Sequence, residues 1–128
     1  MTSVPRERLT REHRLTSSLD YSAVKDSGTA LRGKHCLLLV LARAGEPTRV
    51  GFIASKKGVG GAVQRNRARR RLREIVRRRW PRLPDAGFLI VVVANRSCLT
   101  APHQELATDV EHLLAAAGAL APIGSVHH

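Results

Sequence analysis

One segment constrains this chain more than any other. Gln64 to Arg79, QRNRARRRLREIVRRR, holds nine arginines and a single acid, Glu74. At about 100° per residue, Ala68, Leu72, Ile75 and Val76 fall within an arc about 100° wide. A stripe of that width is enough to dock a helix on a sheet. Asn66, Arg70, Arg73 and Arg77 lie on the opposite pole, Arg65 and Arg69 flank the stripe on one side, and Arg67 and Arg71 on the other. The spacing predicts a helix from Ala62 to Arg78, ended by Trp80-Pro81. A solvated helix face mixes signs, so that neighbours three or four residues apart attract. Here like charges are stacked, at a few tenths of a kcal/mol per pair. Arginine is used throughout the run, and its planar fork suits phosphate and stacks on bases. Such a helix needs an apolar anchor behind it and a polyanion in front.

The rest of the composition points the same way. Lysine and arginine total 22 against 10 acids, a formal charge of +12. Self-repulsion of that size opposes compaction unless a polyanion relieves it. Neutralising several nucleic-acid phosphates releases counterions and gives strong, salt-dependent binding. The 128 residues suffice for one domain with a single core. The longest apolar run, Phe88 to Ala94, is strand-sized and far short of the roughly 18 residues of a membrane helix. The N-terminus, MTSVPRERLTREHRL, has no apolar stretch after its charges and does not read as a secretory signal. Cys36 and Cys98 make neither a disulfide framework nor a zinc site. They read as small core residues of a cytoplasmic protein with no membrane partner.

Three parts are expected: a flexible basic segment over 1–13, a single RNA-binding α/β domain over 14–118, and a disordered tail over 119–128. Ser17 to Ser27 reads as a short helix, with capping-box-like spacing of Ser17 and Asp20 and a C-cap at Gly28. Cys36 to Ala42 reads as a buried strand, Gly45 to Pro47 as a turn, and Arg49 to Ser55 as the second strand of a hairpin. Phe88 to Ala94 is the most apolar strand, and a further short strand is expected near Leu31. A last helix, capped by Thr100 and closed by Gly118, carries Leu106, Val110, Leu113, Leu114 and Ala117. The class is α+β, with helices packed on one sheet of about four strands.

No catalytic or metal-binding constellation emerges. The six histidines lack ligand spacing, and no paired carboxylates sit near the basic face. Glu105, Asp109 and Glu111 suit the dipole at the start of the last helix. The loop Lys56 to Gly61 carries Gly58, Gly60 and Gly61, which suit either a phosphate cradle or a flexible connection. No Lys-Ser or Lys-Thr follows in place, so it is not a P-loop. The four aromatics Tyr21, Phe52, Trp80 and Phe88 are too few for a stacking platform of the RNA-recognition-motif kind. Phe52 and Phe88 are expected in the core. Strands behind the basic helix argue against a DNA-binding helix-turn-helix, so the partner is read as RNA rather than DNA.

The stretch Arg49 to Arg73, RVGFIASKKGVGGAVQRNRARRRLR, resembles the signature of the bacterial ribonuclease P protein component. The resemblance rests on Arg65-Asn66-Arg67 followed by Arg69, Arg70 and Arg73, preceded by Ser55-Lys56-Lys57 and Ala62-Val63. It extends to Arg14-Leu15, Asp20-Tyr21, Phe88 to Val93 and Leu99-Thr100. It implies a small α/β sandwich with a left-handed β-α-β crossover, a hand opposite to the usual rule. It also implies a protein subunit that binds a catalytic RNA and promotes endonucleolytic removal of 5′ leaders from precursor tRNA. Hydrolysis and most of the magnesium then belong to the RNA, and the protein is a monomer within the ribonucleoprotein. By position, Arg65, Asn66, Arg67, Arg69, Arg70 and Arg73 would face the RNA subunit. Tyr21 and Lys57 would lie in a central cleft near the leader. The loop Lys57 to Ala62 is slightly long for the family, so Lys56 and Lys57 are interchangeable in that role. Lys25 and Leu39 replace common aromatics, which shifts leader binding from stacking toward charge. Arg71 replaces a frequent aliphatic residue, and Val93 a frequent arginine. The rival readings are a structural or ribosome-associated RNA binder without enzymatic role, and a dimeric DNA-binding regulator.

Overall fold

The most apolar run of the chain occupies the centre of a four-stranded sheet. The computed structural model describes residues 13–120. In chain order the elements are α1 (Ser18–Ser27), β1 (Thr29–Arg32), β2 (Cys36–Pro47), β3 (Arg49–Ile53), α2 (Ala62–Arg79), β4 (Ala86–Ala94) and α3 (His103–Ala116). Short 3-10 turns, Trp80–Arg82 and Arg96–Leu99, follow α2 and β4. The strand order is β1-β2-β4-β3. β2 runs antiparallel to β4, from Cys36 opposite Ala94 to Ala42 opposite Phe88, and β3 runs parallel to β4, from Arg49 opposite Leu89 to Ile53 opposite Val93.

The α+β class and the four strands match the sequence reading, but the expected hairpin does not form. β2 and β3 are not neighbours, because β4 lies between them. A strand that is apolar on both faces gains most from the central position, where both faces are covered. β4 is such a strand; Leu89 and Val91 face one layer, Ile90 and Val92 the other, and all four are buried. The expected turn at Gly45 to Pro47 is instead an irregular end of β2, with a register shift between Arg43 and Pro47.

Two helical layers cover the sheet. On one face, Leu38, Val40, Ile90 and Val92 pack with the α2 stripe (Ala68, Leu72, Ile75, Val76) and with Leu106, Val110 and Leu114 of α3. On the other face, Leu89 and Val91 pack with Leu15 and Val24, and Tyr21 joins them half-buried. Cys36 and Cys98 are buried and unbonded to each other, as core thiols. Phe52 and Phe88 are only partly buried against that core.

Polar ties fix the ends. The Ser17 hydroxyl accepts from the Asp20 N–H at 3.3 Å, but the Asp20 carboxylate turns away to Arg43 and Arg49, at 3.4 and 3.9 Å. The capping box is therefore half-formed, and its acid pins α1 to the sheet. Thr100 does not cap α3; it ends the 3-10 turn, and α3 starts at His103 behind Pro102. The acids of α3 make tertiary contacts, a stronger use than the dipole role expected for them. Asp109 accepts from the N–H groups of Lys34 and His35 at 2.9 and 2.8 Å. Glu105 meets the His35 ring at 2.6 Å, and the other ring nitrogen meets the Ser97 hydroxyl at 2.8 Å. With both nitrogens engaged and 5% of its surface exposed, His35 ties β2 to the 3-10 turn and α3. Glu111 pairs with Arg82 and Arg79. After α3, Ala119 donates to the Leu114 carbonyl at 3.0 Å, and Ala119 and Leu120 are buried. These two residues belong to the core rather than to a tail. The remainder of the expected tail, 121–128, and residues 1–12 lie outside the described residues.

Gly28 ends α1 as expected, but in extended backbone, with φ −79° and ψ 168°. The reason for glycine there is space. A Cβ would lie 2.5 Å from the Val24 carbonyl oxygen and 2.9 Å from that of Val40. Both obstacles are backbone, so neither can swing aside. Gly28→Ala is expected to destabilise the fold by about 1–3 kcal/mol, the usual cost of overpacking. An unchanged urea midpoint would contradict this account of the α1–β2 packing.

Candidate nucleic-acid interface

The arginines of α2 divide into two sets. The first set is spent on the fold. Arg71 donates to the carbonyls of Cys98 and Ala101, at 2.6 and 2.7 Å, and holds the turn after β4. This explains an arginine where an aliphatic residue is common in the family it resembles. Arg77 and Arg78 both donate to Glu74. The hydrogen bond from Arg77, helped by Arg78, lowers the Glu74 carboxyl to about 2. Arg79 donates to the Ile75 carbonyl at 3.1 Å and approaches Glu111.

The second set is Arg65, Arg67, Arg69, Arg70 and Arg73. No carboxylate among the described residues lies within ion-pair distance of any of them. Asn66, Arg69, Arg70 and Arg73 line one depression of about 210 Å³ on the helix. Asn66 Oδ1 accepts from Arg69 at 2.6 Å, which sets the tilt of that guanidinium. The Arg73 guanidinium carbon stands 5.7 Å from the centre of the Phe52 ring, a cation–π distance. Burial lowers the Arg73 pKa, and the neighbouring charges of Arg14, Arg69 and Arg70 lower it further. Arg14 joins the group because residue 14 bridges Val50 on the open edge of β3. Arg67 is exposed and lies outside the depression. Arg65 is half-buried, as its place flanking the stripe leads one to expect, with Nε buried and unbonded. Convergent guanidinium groups without acids are unfavourable for an isolated protein, and an anion with several oxygens is what relieves them.

Tyr21 lies on the opposite face of the sheet. Its ring rests on bare backbone at Gly51, where a Cβ would fall 2.1 Å from the Tyr21 hydroxyl oxygen. That oxygen accepts from the Phe52 N–H. Burial raises the Tyr21 pKa, while Arg69 and Arg73 pull against the rise. Half-buried Leu39, Ile53 and Val93 extend an apolar floor beside it. Lys56 and Lys57 are exposed in the turn beyond β3, where the Ser55 hydroxyl accepts from Gly58 N–H at 2.8 Å. β3 ends at Ile53, so Lys56 and Lys57 follow Gly51 beyond the end of the strand. The N-terminus of α2 has Gly61 as its cap residue and no side-chain cap.

Three participants were missed as site residues in the sequence. Arg14 was noted only for the resemblance, and its place beside Arg73 depends on a long-range bridge. Phe52 was assigned to the core but stands at the sheet edge. Gly51 carried a readable signal, since a glycine inside a strand marks close approach of another group.

A family model described as Ribonuclease P matches residues 9–118. The ribonuclease P protein component of Symbiobacterium thermophilum is 45% identical over 111 residues, covering 86% of this chain and 95% of the relative. That of Kocuria rhizophila is 38% identical over 109 residues, covering 85% and 95%. Among solved structures, the RNase P protein from Thermotoga maritima matches with a TM-score of 0.69 at 26% identity, over 79% of this chain and 94% of that one. The Staphylococcus aureus RNase P protein matches with a TM-score of 0.73 at 21% identity, over 85% and 98%, a likeness of fold. With the matched segment spanning nearly every described element, this chain belongs to the ribonuclease P protein family.

Proposed function

We propose that this chain serves ribonuclease P by laying the unpaired arginines of α2 on the phosphates of the RNA subunit. The observation that carries the reading is the division of the arginines. Those that hold the fold have carbonyl or carboxylate partners, and Arg65, Arg67, Arg69, Arg70 and Arg73 have no carboxylate partner among the described residues. Phosphate contacts of this kind position a protein on RNA without reading sequence. The reaction is removal of the 5′ leader of precursor tRNA, with hydrolysis performed by the RNA. Magnesium sits mainly on the RNA in this reading. The open face of α2 offers guanidinium groups, which repel a dication, and no oxygen cage. The leader passes over Tyr21 and the apolar floor toward Lys56 and Lys57. Leu39 takes the place of an aromatic there, so charge carries more of the contact. The subunit acts as a monomer within a cytoplasmic ribonucleoprotein. No helix among the described residues is long and apolar enough to cross a membrane. Neither rival reading has an observation of its own in its favour.

Two outcomes follow. Arg70→Ala with Arg73→Ala should weaken binding to the RNA subunit and reduce the salt slope by about one per lost phosphate contact. Titrations at several salt concentrations measure this, and an unchanged slope would contradict the face assignment. Tyr21→Ala should lower the preference for leader-bearing over mature tRNA. Equal losses for both substrates would make Tyr21 a packing residue only.

A further inference from the structure

A cavity of about 340 Å³ opens at the end of the sheet where β3 begins. Its walls are His13, Pro47, Thr48, Arg49, Trp80 and Asp85. Nothing in the reading above uses it. Trp80 stands in the 3-10 turn after α2, and the His13 ring packs on its indole with centroids 4.7 Å apart. Thr48 crosses the end of β4, donating its N–H to the Asp85 carbonyl at 2.9 Å. Its side chain is 1% exposed, and its hydroxyl has no hydrogen-bond partner. Buried polar groups are nearly always bonded, so an orphan hydroxyl beside a cavity marks a place that a polar guest completes. Arg49 brings a guanidinium whose one ion-pair partner among the described residues is Asp20, at 3.9 Å. Asp85 is exposed, and no described cation pairs with its carboxylate.

From this juxtaposition we infer that the cavity binds one unstacked nucleotide, with guanine as the preferred base. The volume lies within the range of small-ligand pockets. The half-buried indole, already packed against the His13 ring, gives the cavity an aromatic wall for a base to lie against. The Arg49 guanidinium suits the nucleotide's phosphate. Asp85 selects among bases, because a carboxylate only accepts. Guanine presents two adjacent donors, N1–H and N2–H, to a carboxylate, whereas uracil presents one donor between two acceptors. The nucleotide is supplied by an RNA strand. His13 adjoins Arg14, and Arg14 lies close enough to Arg73 to depress its pKa. On this inference, a strand lying on the depression of α2 continues past Arg14, the chain neighbour of the cavity's His13. A free guanine nucleotide carries the same chemistry, so the test separates the two sources. The inference does not depend on which RNA α2 binds.

Trp80 is the sole tryptophan, so its fluorescence reports from the cavity wall. The full chain would be titrated with the RNA pentamers UUGUU and UUUUU, and with GMP and UMP. UUGUU is expected to quench saturably, about fivefold or more tighter than UUUUU, a modest share of what a good base contact supplies. Asp85→Asn, a surface change checked by an unaltered melting temperature, should abolish that preference. Arg70→Ala with Arg73→Ala should keep the guanine preference, so failure here is distinct from failure of the α2 reading. Quenching by GMP as tight as by UUGUU would point to the free nucleotide as the source. Quenching by the pentamer alone supports the strand. Absence of saturable quenching by both guanine ligands, equal binding of G and U, or a preference that survives Asp85→Asn would overturn the inference.

Discussion

Everything in this molecule depends on the burial of a narrow aliphatic stripe on α2. Leu72, Ile75 and Val76 are essentially inaccessible, as is Ala68. Burying three such side chains supplies roughly 1.5–3 kcal/mol each. Against this stand six arginine pairs at spacings of three or four in the helix, at a few tenths of a kcal/mol each, about 2 kcal/mol in all. The stripe wins, and the helix can hold a charge density that would be unfavourable elsewhere. Glu74 softens the C-terminal half by pairing with Arg77 and Arg78. The N-terminal half has no such carboxylate among the described residues, and that asymmetry is the ground for proposing it as the binding half.

The sheet adds a second consequence. Phe52 sits where both faces of β3 are in use. Its N–H is bonded to the Tyr21 hydroxyl, and its ring lies under the Arg73 guanidinium. The arginine helix and a tyrosine on the opposite face thus meet at one residue. The bare backbone of Gly51 allows this, because any Cβ there would displace the tyrosine. The two surfaces proposed for the large RNA and for the leader therefore share Phe52.

Much of this was legible in the sequence, and the reasons are local. The bounds of α2 follow from its 3.6-residue stripe and Trp80-Pro81, and the structure extends it by one residue, to Arg79. α1 follows from Ser17 and Gly28. Strand order was not legible, because adjacent strands in sequence usually pair and only the doubly buried faces of β4 force it between β2 and β3. Glu105 does lie in the first turn of α3, but the tertiary role of the acids was not legible, because Asp109 and Glu105 meet Lys34 and His35, seventy or more residues away in sequence. The arginine face was legible as a class, but its division was not. Arg71 and Arg79 look like Arg69 and Arg73 until the carbonyls of Cys98 and Ala101 and the carboxylate of Glu111 arrive. The pairing of Tyr21 with Lys57 came from the resemblance, because the chain spacing between them carries no signal of its own.

The central claim is that the protein supplies binding and the RNA supplies chemistry. The most direct test is leader cleavage of a precursor tRNA at moderate magnesium, comparing the RNA subunit from the same source alone, this protein alone, and the two together. The account predicts cleavage far faster in the mixture than with RNA alone, and none from the protein. Cleavage by the protein alone, or a folded protein that leaves the rate of its own RNA unchanged, would contradict it.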